Sequence, residues 1–75
     1  MNDDIDRAAY RRGINQALAR MRESTRRRKA VRLDVSLATI DNWQSGATFP
    51  SEANLARLAN ASGTTQEAIR TGAVQ

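Results

Sequence analysis

Apolar residues recur at helical spacing over most of the chain, and nothing alternates with period two long enough to make a strand. Tyr10, Ile14, Ala17, Leu18 and Met21 follow the three-and-four spacing of a helix expected over residues 6–23. Gly13 falls inside it, at a cost of about 1 kcal/mol relative to alanine. Ser24 or Thr25 can cap a second helix over residues 26–33, with Ala30, Val31 and Leu33 as its apolar members. Asp34-Val35-Ser36 breaks it. Asp34 stands where a left-handed residue is needed, a conformation aspartate tolerates less readily than glycine.

Ser36 caps a third helix over residues 37–44, with Ile40 and Trp43 on one side and Leu37, Ala38, Asp41 and Asn42 on the other. Val35, just before that cap, is placed to pack on Ile40. Gly46 ends the helix. Ser51 opens a fourth over residues 52–61, with Leu55, Leu58 and Ala59 inward. Gly63 closes that one, and Thr64 with Glu67 offers a capping box for a short fifth helix holding Ala68 and Ile69 up to Gly72. The expectation is an all-α fold, a compact bundle of about five helices. Residues 1–5 read as a flexible arm, 6–72 as one domain and 73–75 as a tail.

Size and composition narrow the function. Seventy-five residues make one small domain with a marginal core. There is no cysteine and no histidine, so disulfides and the commonest metal ligands are excluded. No glycine-rich phosphate loop is present, and no close carboxylate pair in a plausible pocket, Asp3, Asp4 and Asp6 reading as an acidic arm; no catalytic residue, metal or cofactor is expected. No apolar run approaches the ~20 residues of a membrane span, and the acidic start MNDDID is no secretory signal. A cytoplasmic protein is expected.

The net charge is +4, and eleven of the twelve cations are arginine. Arg20, Arg22, Arg26, Arg27, Arg28, Lys29 and Arg32 crowd the middle of the sequence, opposed there by Glu23 alone. The crowd abuts the turn at residues 34–36. Two short helices joined by a tight turn, beside a basic run, suggest a helix-turn-helix that grips double-stranded DNA.

Residues 25–69 resemble the Xre family, the phage-repressor and Cro type of helix-turn-helix domain. Ala30, Leu33, Val35-Ser36, Thr39-Ile40, Trp43, Gly46, Pro50-Ser51, Leu55, Leu58-Ala59, Gly63 and Ile69 carry the resemblance, in order. The chain departs from the family pattern at Arg26, Lys29 and Asp34, and at Leu37 and Ala38, where polar side chains are common. The resemblance implies a lambda repressor-like bundle. It also implies a sequence-specific transcriptional regulator, with repression ahead of activation. The third helix would lie in the major groove, with Leu37, Ala38, Asp41 and Asn42 at base edges. Asn42 suits adenine, Leu37 and Ala38 suit thymine methyls, and Asp41 either accepts from cytosine or pairs with a nearby arginine. Phosphates would be held by Thr25, Arg26, Arg27, Arg28, Ser36, Thr39, Ser45 and Thr48, with backbone help from residues 45–48. A homodimer is expected, paired near Ser62-Gly63 and Ala73-Val74. A protein-interaction module of the same fold, such as an antiactivator, stays open as the alternative, with Leu37 and Ala38 as its contact patch; within the DNA class, an antitoxin or a directionality factor stays open too.

Overall fold

The computed structural model describes the backbone of residues 3–74 and the side chains from residue 7 to residue 74. It is all-helical: α1 (Asp3–Arg20), α2 (Arg26–Leu33), α3 (Leu37–Ser45), α4 (Glu52–Ser62) and α5 (Gln66–Thr71). The helices pack around a core led by Trp43, Ile14, Leu18, Leu33, Ile40, Leu55, Leu58 and Ile69. No described helix is long and apolar enough to cross a membrane.

Side-chain hydroxyls set the starts of α2 to α5. The oxygens of Thr25, Ser36, Ser51 and Thr65 accept from the amides of Arg28, Thr39, Asn54 and Ala68 at 3.0–3.2 Å, each satisfying a donor the helix cannot. Glycine closes three of these helices in the left-handed region, and Asp34 closes α2 there, at φ 59°. The amides of Asp34 and Val35 return to the carbonyls of Val31 and Ala30, so α2 stops sharply and the chain turns into α3. Val35 is half-buried against the core.

The first helix differs from expectation at both ends. It starts at Asp3, so residues 3–5 are helical and not part of an arm; Met1 and Asn2 lie outside the described residues. Acidic residues in a first turn suit the positive pole of a helix, which favours the earlier start. It stops at Arg20, because Met21 turns into the core and the Arg20 Nε donates to the Ser62 carbonyl at 3.0 Å. Gly13 is no mere weak point. A Cβ there would overlap the Ile69 carbonyl, so its absence lets α1 and α5 meet backbone to backbone.

Three smaller expectations change. Val31 is 78% exposed, since Ala30 and Leu33, three apart, define the inward side of α2 and Val31 lies about 100° round from Ala30. The cap of α5 is Thr65, one residue later than the expected capping box, because the Thr64 amide is spent on the Ala59 carbonyl at the end of α4. Val74 is no loose tail: it is 8% exposed in the core, and its amide donates to the Gln16 Oε1 at 3.2 Å. Gln75 lies outside the described residues.

Candidate nucleic-acid interface

The sequence of α3 sorts its residues cleanly. Ile40 and Trp43 are buried and fix the helix to the body of the protein. Ala38, Asp41, Asn42 and Ser45 recur at three-and-four spacing on the outward side and are exposed. Leu37 is half-buried at the edge of that stripe, so Ala38 is the more open of the two apolar positions. Thr39 is also half-buried. Its Oγ1 lies 2.8 Å from the Ser36 Oγ, so the two hydroxyls sit together at the positive pole of α3.

Asp41 is paired with Arg26, the first residue of α2, by an ion pair in which both side chains are about half exposed. Of the two roles open to Asp41 in the sequence, the structure shows the pairing with arginine. The pair gives modest stability at such exposure. It does orient the Arg26 guanidinium across the open face of α3. Asn42 keeps its amide exposed, and among the described residues no hydrogen bond engages it. Its backbone carbonyl is crowded, accepting from Ser45 Oγ, the Ala47 amide and the Thr48 amide. The Ser45 hydroxyl is therefore committed to shaping the loop. Thr48 is exposed on the same loop.

The other expected phosphate contacts divide. Thr25 is exposed, with its hydroxyl also capping α2. Arg27 and Arg28 are exposed but line a groove with Val31 and Arg32 on the outward side of α2, while Arg26 alone of the α2 arginines pairs with α3. A run of cations in a helix cannot stay on one face, because each residue turns about 100° from the last. Lys29 is half-buried. Further back, Arg20 holds the end of α4, and Arg32 stands 3.9 Å from Glu23. The contiguous basic run of the sequence is thus wound around α2 and not gathered beside α3.

Two cations that sequence reasoning assigned to no site stand at the other end of α3. The Arg11 Nε donates to the Gln44 carbonyl at 2.9 Å, with Asn15 Nδ2 on the same oxygen at 3.3 Å. Arg7 lies over the Phe49 ring, 6.0 Å from its centre, and Phe49 in turn tilts against Tyr10 at 4.8 Å. Burial raises the Tyr10 pKa above its ordinary value, partly countered by the positive charge of Arg70. Arg7 and Arg11 are four apart on α1, a spacing that puts them on one side; that was the signal in the sequence. The open stripe of α3 is therefore bordered by Arg26 at its middle, through Asp41, and by Arg11 at its end.

Among the described residues no group of His, Cys, Asp or Glu gathers to hold a metal ion. Ser62 and Val74, at the two places where pairing of subunits is expected, are both buried in the monomer, the Ser62 Oγ donating to the Leu58 carbonyl at 2.6 Å. No family model, curated protein or solved structure matches the chain, so what can be said of this surface comes from its own residues.

Proposed function

We propose that the chain is a cytoplasmic, sequence-specific regulator that binds double-stranded DNA with α3 in the major groove, in the manner of the Xre family it resembles. One observation carries this reading: α3 is anchored by Ile40 and Trp43 and turns a stripe of small or polar side chains outward, with one arginine beside its middle and another at its end. A groove-reading helix needs such a stripe, short enough to reach base edges and stiffly held. Asn42 reads a base, Ala38 meets a thymine methyl, and Leu37 flanks it. Arg26 bridges Asp41 and a phosphate. Arg7 and Arg11 extend the phosphate grip around the loop at residues 45–48. Two copies on half-sites about one helical turn apart would supply affinity that one small domain lacks.

Selection of bound sites from a random DNA pool tests this. A palindromic motif is the expected result; salt-sensitive binding to every sequence alike would overturn it. On the selected site, Asn42→Ala should cost about 1–3 kcal/mol at one base position only. Arg26→Ala should weaken binding to all sequences and flatten the salt slope by about 0.9 in an electrophoretic titration. If the two substitutions behave alike, this division of roles is wrong. A second reading, a protein-interaction module on the same face, is favoured by the Arg26–Asp41 pair, which engages one base reader and one phosphate binder with each other. It predicts no enrichment of any DNA motif.

A further inference from the structure

Apart from Arg27 and Arg28, expected at phosphates, the outward side of α2 carries a surface that the DNA reading leaves without a role. Val31 is the one large apolar side chain exposed among the described residues, at 78%. Arg27, Arg28, Arg32 and Glu23 stand around it and line a shallow groove of about 430 Å³ with a mostly apolar floor. Arginine stems can supply such a floor while their heads stay in water. Glu23 and Arg32 also belong to an adjoining polar cleft of about 380 Å³, which takes in Arg20, Arg22 and the end of α4. Groove and cleft together present five guanidinium groups against one carboxylate.

We infer that groove and cleft together seat a short acidic segment of another protein, with one apolar side chain on Val31 and carboxylates on the arginines beside it. The charge balance selects an acidic occupant. The apolar floor selects a peptide over a nucleic acid, since a phosphate backbone gains nothing from a valine. The size selects a segment over a second globular copy, because a stable dimer hides roughly 800 Å² on each partner and this face offers a single exposed apolar anchor. Arginine is also enriched among the few residues that dominate protein–protein affinity. Arg27 and Arg28 are shared with the expected phosphate contacts, but Val31 and Arg22 belong to this surface alone.

The probe is a fluorescein-labelled synthetic peptide of aspartates and glutamates around one leucine, compared with the same peptide carrying serine there. By fluorescence anisotropy the full chain should bind the leucine peptide about tenfold more tightly, the worth of one buried apolar side chain. Val31→Ser should abolish that preference while leaving the thermal melt and the affinity for a DNA duplex as they were. Arg22→Glu should weaken both peptides. Equal binding of the two peptides, or a preference that survives Val31→Ser, overturns the inference. Loss of duplex binding in Val31→Ser would assign the groove to nucleic acid instead. Concentration-dependent association of the chain alone, removed by Val31→Ser, would assign it to a second copy. None of the peptide outcomes depends on whether the chain regulates transcription.

Discussion

The α1–α5 pair and the α2–α3 pair are both two helices in contact, yet they are built in opposite ways. In the first, Gly13 brings backbone against backbone, the Arg12 Nε reaches the Gly72 carbonyl at 3.4 Å, and Gln16 holds the Val74 amide. Its side chains and amides are spent on holding the two ends of the chain together. In the second, two short helices are fixed by caps, a three-residue turn and a few inward side chains, Ala30, Leu33, Ile40 and Trp43. Much of the rest of its surface is exposed, with Lys29, Val35, Leu37, Thr39 and Gln44 half-buried. One half closes the fold; the other leaves the outward side of α3 exposed. A helix can present a face rigidly only if its opposite face is fully committed, and α3 meets that condition through two side chains.

That contrast predicts different failures. Trp43→Ala removes the largest side chain of the core, and the α2–α3 pair has nothing to replace it. A loss of about 3–5 kcal/mol is expected, enough to unfold much of a domain this small. Circular dichroism in denaturant would measure it, since Trp43 is the only tryptophan and fluorescence goes with it. A loss below 1 kcal/mol would mean that α3 is held by something else. Gly13→Ala tests the other half by overlap: the added methyl meets the Ile69 carbonyl, a backbone atom that cannot swing aside. The α1–α5 contact must open, at a cost of about 1–3 kcal/mol. Elsewhere in a helix the same change would be stabilising, so the sign of the effect decides.

The two halves also differ in how legible they were. The bounds of α2 follow from local chemistry alone, a threonine hydroxyl before eight residues and a left-handed residue after them, and the structure returns them unchanged. The inward set Ile40 and Trp43 follows from their spacing in the same way. What escaped depends on a partner distant in sequence. Gly13 reads as a weak spot until Ile69 lies on it. Val74 reads as tail until Gln16 is beside it. The exposure of Val31 and the scattering of the arginines follow from helical phase, which charge counting along the chain ignores. The exposed stripe of α3 was legible apart from Leu37, whose burial depends on its neighbours.

A gentler test sits in the turn of the α2–α3 pair. Asp34 is the one residue other than glycine at positive φ among those described. Asp34→Gly relieves that strain and should raise stability by roughly 0.5–1 kcal/mol. The gain would be read as a higher thermal midpoint with DNA affinity unchanged. A loss would show that the Asp34 carboxylate does more than occupy the turn.

The smallest expected effect concerns the residue that joins the halves. Tyr10 belongs to α1, and its ring rests on Phe49 of the loop after α3. Burial disfavours the phenolate and raises its pKa, with Arg70 opposing. The unfolded chain releases this proton near pH 10, while the folded chain holds it to higher pH. Between the two values the folded state carries more protons, so stability falls as pH rises through that window. Below it, where the phenol is neutral in both states, the contribution is complete and constant. Denaturant midpoints should therefore decline above about pH 10 in the natural chain, and less steeply in Tyr10→Phe, which keeps the ring contact and has no proton to lose. If both chains decline in parallel, Tyr10 is not the group responsible, and the contact between α1 and the loop after α3 is looser than its geometry implies.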